Sequence, residues 1–141
     1  MMIKGKPYSA TVLVIAGVIL AGIGFYFIFL RPSLLPEDLH YMGSTVDNAK
    51  QNIPGLYNWL QKVFWVMGGY IFATGLLTVF ISITSFRTRS HGVFIIVALA
   101  GISSIGLMTI VNFMISSDFK WLLLIFALPW AIALTLYRFH K

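Results

Sequence analysis

The chain has 141 residues, 59% of them hydrophobic and 10% charged, with a formal net charge of +6 and a mean hydropathy of +0.89. A soluble domain carries roughly 25% charged residues, so this composition excludes a water-soluble globule and points to a single membrane domain over 1–141. The lack of cysteine excludes disulfides, thiolate nucleophiles and Cys metal sites. The basic pI near 9.8 reads as the loops of an inserted protein rather than as nucleic-acid binding.

Charges are clustered and leave four uncharged apolar runs, each near the ~20 residues that cross a bilayer core. The expected fold is all-α: a polytopic bundle of four transmembrane helices with spans at about 10–30, 63–85, 93–115 and 121–137. Met1 to Ser9 is short and basic, with Lys4 and Lys6. The run from Ala10 to Leu30 is longer than the roughly 7–15 apolar residues of a signal peptide. It ends in the bulky FYFIFL, and we read it as an uncleaved first span. Gly17, Ala21 and Gly24 recur at helical spacing, a seam where another helix can approach closely.

The outer segment, 31–62, holds three of the four acids, Glu37, Asp38 and Asp47. Pro36 suits a first helical position, and acids in the next two places complement the helix dipole. Leu35, Leu39 and Met42 fall on one helical face. Gly43 is a stop, and Ser44-Thr45-Val46-Asp47 has capping-box spacing. Val46, Ala49 and Ile53 form a second stripe before Pro54-Gly55. Two short interfacial helices are therefore expected across the bundle mouth. Leu35, Leu39 and Met42 would point inward, with Glu37 and Asp38 facing water and headgroups.

The second helix is expected over Leu56 to Ser85, with Gly69-xxx-Ala73 as a packing step. FRTRSHG, residues 86–92, is a basic turn. On the third span Ala98, Gly101, Ile105, Thr109 and Asn112 follow one face. Asn112 is the only carboxamide within a span, and a buried amide needs a partner. It is read as a clamp to a neighbouring helix or a backbone carbonyl, or else as a ligand contact. Ser116 to Lys120 is a turn, and Pro129 should kink the fourth span.

Lys4, Lys6, Arg87, Arg89, Arg138 and Lys141 fall on one side without an acid, while Arg31, Lys50, Lys62 and Lys120 share the other with all four acids. This bias places both termini in the cytoplasm, with Trp59, Trp65 and Trp121 at the outer interface.

No Asp, Glu, Lys, Arg or His lies within an expected span, which argues against a proton-coupled transporter. His40, His91 and His140 lie in loops or tails, so a bis-His haem between helices is excluded. No metal, cofactor or catalytic residue is assigned.

FWVMGGYIFATGLL, residues 64–77, and the long first and short second loops resemble the DoxX-like small bacterial membrane proteins. The resemblance implies a four-helix bundle in a bacterial inner membrane. Some relatives of that fold are similar to sterol-handling proteins with acids inside the bundle, and this chain has none there.

The expected function is non-enzymatic. The bundle binds a membrane lipid or other apolar molecule under an amphipathic cap, with Leu35, Leu39, Met42, Trp65 and Asn112 as ligand or lid residues. Gly17, Ala21, Gly69, Ala73 and Gly101 are expected at helix contacts. The alternatives are an accessory subunit docking a membrane-protein partner or a second copy through its small-residue seams, and a lipid-modifying enzyme using Glu37, Asp38 and His40.

Overall fold

The computed structural model describes residues 8–139, so Lys4, Lys6, His140 and Lys141, used above for orientation and haem exclusion, lie outside the described residues. Helix α1 is Tyr8–Phe29. Two short helices follow, α2 (Pro36–Tyr41) and α3 (Val46–Asn52). Helix α4 (Leu56–Ile81) runs on through a π turn, Ser82–Phe86. The third span is α5 (Val93–Gly101), a π turn (Ile102–Gly106) and α6 (Leu107–Met114). Helix α7 is Lys120–Phe139. No strand occurs among the described residues. Four helical stretches, Tyr8–Phe29, Leu56–Phe86, Val93–Met114 and Lys120–Phe139, are long and apolar enough to cross a membrane. The protein is an all-α membrane protein with a four-helix bundle.

Helix α1 is the centre of that bundle. It packs along α4 on one side and along α7 on the other, and α7 in turn packs on α5 and α6. Leu13, Ala16, Gly17, Leu20 and Gly24 of α1 are buried as a result. Helix α4 does not pack broadly against α5, α6 or α7.

The α1–α4 seam explains the choice of small residues. A Cβ on Gly75 would run into the Ala21 backbone, and one on Gly24 into the Phe72 backbone. One on Gly68 would lie 2.9 Å from the Gly24 carbonyl oxygen, and one on Gly17 3.0 Å from that of Gly75. Apolar surface gains little by leaving lipid for a helix neighbour, so close backbone packing has to supply the cohesion. The expected step on α4 is corrected here. Gly69 meets nothing within 4 Å, and Ala73 is exposed. Gly69 lies one residue, about 100°, round the helix from the contacting Gly68.

Back-bonded hydroxyls accompany both π turns. Ser82 donates to the Thr78 carbonyl and Thr78 to that of Thr74. Ser103 and Ser104 donate to Leu99 and Ala100. Such back-bonding competes for helix carbonyls and bends helices. On α7, the buried Trp130 donates from Nε1 to the Val97 carbonyl at 2.9 Å and occupies the space beside Gly101. Helix α7 continues through Pro129. At the far end Phe86, Phe94 and Tyr137 cluster, with the Arg89 guanidinium 4.8 Å from the Tyr137 ring centre. The 87–92 turn and the end of α7 therefore share one end of the bundle.

Candidate functional site: an apolar cavity beneath helix α2

A half-open cavity of about 910 Å³ lies at the other end. Its walls are Leu20, Ile23 and Phe27 of α1, Phe64, Met67 and Ile71 of α4, Met108 and Asn112 of α6, and Leu122, Leu123 and Phe126 of α7. Ser103 and Ser104 of the second π turn add two hydroxyls to the lining. The space exists because α4 and α6 lean on α1 and α7 rather than on each other. Arg31, Leu35, Glu37 and Asp38 complete the lining at the mouth.

Each charged group at the mouth has a partner. The Arg31 side chain is only 9% exposed; its Nη2 bonds Asp38 Oδ2 at 3.1 Å and its Nη1 donates to the Pro32 carbonyl at 2.9 Å. The guanidinium lies 3.6 Å from the Phe64 ring centre and 5.3 Å from that of Phe27, in reach of cation–π attraction. Asp38 also accepts the Leu35 N–H at 2.8 Å, capping α2 from its third position. Glu37 Oε1 accepts the Ser117 hydroxyl at 2.8 Å, and its Oε2 accepts the Asp118 N–H at 3.0 Å. Ser117 is fully buried and takes the Phe119 N–H at 3.0 Å. Ser33 donates to Gln61 Oε1 at 2.8 Å. The segment before and within α2 is thus tied to α1, to α4 and to the α6–α7 turn.

These bonds correct the expected orientation of the acids. Glu37 and Asp38 turn toward the bundle, because buried donors there would otherwise lack acceptors. The three apolar residues expected on one face also separate. Leu35 lines the cavity, whereas Leu39 is 6% exposed but outside the lining. Met42 is 50% exposed, because α2 ends at Tyr41 and Met42 is its C-cap. Trp65 is 44% exposed and outside the main cavity, with the Lys62 ammonium 3.9 Å from its ring centre.

Asn112 lines the cavity, and its Nδ2 donates to Met108 of its own helix at 2.9 Å. The cross-helix bond on that face belongs to Thr109, whose hydroxyl lies 3.3 Å from the Leu123 carbonyl. The cap of α3 is Thr45, accepting the Asn48 N–H at 3.3 Å, rather than Ser44.

Sequence reasoning missed Arg31 and Ser117. Arg31 had a signal: a cation directly after FYFIFL, seven residues before Asp38. Ser117 had none, since its partner Glu37 is 80 residues away.

No family model, curated protein or solved structure matches this chain. Among the described residues no three His, Cys, Asp or Glu side chains group as metal ligands. Glu37 and Asp38 are engaged in holding α2, and His40 is exposed. The arrangement is suited to cradling an apolar body with a few polar atoms at its rim.

Proposed function

We propose that the protein is a non-enzymatic inner-membrane protein of bacteria that holds a lipid or other apolar molecule in the cavity beneath α2. The observation that carries this reading is the cavity itself: about 910 Å³, walled by aliphatic and aromatic side chains from four spans and closed at one side by a pinned short helix. Ligand sites of roughly 300–1,000 Å³ with apolar walls and few polar groups are the usual form of small-molecule pockets. Both termini lie in the cytoplasm in this proposal, so α2 faces the outer leaflet and governs admission from it.

The test is lipid mass spectrometry on protein purified in mild detergent, with Met108→Trp as the cavity-filling variant. Wild type should carry a reproducible lipid species, and the variant should lose most of it while remaining folded. Equal lipid content in both proteins would overturn the proposal.

A further inference from the structure

The polar atoms of the cavity narrow the chemistry of its occupant. Three charged side chains line it, one cation against two carboxylates: Arg31, Glu37 and Asp38. The Arg31 charge is taken up by Asp38 and by the Phe64 ring. Glu37 is held by two neutral donors, Ser117 and Asp118 N–H, so its charge is not cancelled by those partners. The mouth therefore opposes an anionic headgroup, since like charges in a partly desolvated site repel strongly.

The other polar lining residues are Ser103 and Ser104, further along the span, and Asn112, whose backbone carbonyl accepts the Ser117 N–H at 2.9 Å and which therefore sits close beneath the mouth. Both serine hydroxyls donate to their own helix, to Leu99 and Ala100, so what they retain is acceptor capacity. The Asn112 amide spends one N–H on Met108, and its Oδ1 has no donor among the described residues. A hydroxyl can donate to that oxygen and accept its second N–H; a carboxylate or phosphate can only accept. The volume is that of one drug-sized ligand, which suits one chain rather than two.

We infer that the cavity selects a neutral, single-chain amphiphile whose hydroxyl hydrogen-bonds Asn112, and that the uncancelled Glu37 carboxylate at its mouth rejects anionic lipids carrying the same chain. This rests on the lipid-holding reading above and sharpens it to a ligand class.

The experiment compares 1-monooleoylglycerol with oleate, which share the oleoyl chain while oleate carries a carboxylate and no hydroxyl, by thermal shift of the full chain in detergent. Monooleoylglycerol should stabilise at about tenfold lower concentration. Asn112→Leu should weaken the monooleoylglycerol response about fivefold, as for one lost hydrogen bond, while leaving the weak anionic response unchanged. Asp38→Asn, which frees the Arg31 charge, should narrow or reverse the preference. That second variant gives an independent reading where Asn112→Leu does not fold.

If the anionic lipid stabilises equally well, or if Asn112→Leu weakens both lipids alike, the inference is overturned and the cavity reading stands. If neither lipid shifts the melting temperature of wild type, the cavity reading falls with it.

Discussion

At the scale of single residues, the glycines divide by what surrounds them. Gly75 and Gly69 are both helical glycines in one span, six residues apart. A side chain at Gly75 would strike the Ala21 backbone, which cannot rotate away, so the helices themselves must part. A side chain at Gly69 meets open space. Gly75→Leu should therefore destabilise the bundle by about 1–3 kcal/mol, in the manner of an overpacked core. Gly69→Leu should stay within about 0.5 kcal/mol of wild type. Chemical denaturation in detergent reads both, and a reversed order would show that α4 is turned the other way. The presence of a small-residue seam was legible in the sequence. Its phase on α4 was not, because Gly68 and Gly69 are adjacent and four-residue spacing fits either neighbour. Which of them faces α1 depends on long-range packing that a single helix does not encode.

At the scale of elements, α2 has only six residues, too few to be stable by helix propensity alone. Its place is fixed from outside: Leu39 is buried, Asp38 is paired with Arg31, and Glu37 bonds the α6–α7 turn. The helix, its start at Pro36 and its inward Leu35 could be read from local signals. The inward turn of its acids could not. Acids in a first turn fit a wet surface equally well, and only the fold brings buried Ser117 beneath Glu37. Hydrogen bonds to a charged acceptor contribute about 1.5–3 kcal/mol each. Glu37→Ala should therefore raise hydrogen exchange over 36–42 at least about tenfold, with α1 and α7 unaffected. Exchange in that segment that is already fast in wild type would mean that α2 is no lid. Leu39→Asp should have the same local effect by placing an unpaired charge at a buried position.

The back-bonded hydroxyls at the two π turns were invisible for a related reason. Ser and Thr inside an apolar run look like tolerated polar residues, and their back-bonding emerges only once the helix carbonyls are in place.

At the scale of the whole molecule, the charge pattern and the fold have to agree on which residues share an end. Arg89 lies against Tyr137, which joins the 87–92 turn to the end of α7; Glu37 bonds Ser117 and Asp118, which joins α2 to the opposite turn. The four acids, Glu37, Asp38, Asp47 and Asp118, thus belong to the connections at the α2 end together with Arg31, Lys50, Lys62 and Lys120, and Arg87, Arg89 and Arg138 to the other. Insertion retains short loops dense in Lys and Arg in the cytoplasm and is nearly indifferent to Asp and Glu; Arg87 and Arg89 stand two residues apart in the short 87–92 turn, whereas Arg31, Lys50 and Lys62 are spread along the long 31–62 segment. The prediction is that the 87–92 turn is cytoplasmic and α3 is outside. The chain has no cysteine, so a single introduced thiol reports its own position without background. Asn48 and Thr88 are exposed, one on α3 and one in the basic turn. In intact spheroplasts a membrane-impermeant maleimide should label Asn48→Cys at once, and Thr88→Cys only after permeabilisation. The opposite labelling order would invert the bundle, place α2 in the cytoplasm, and require any molecule in the cavity to arrive from the inner leaflet.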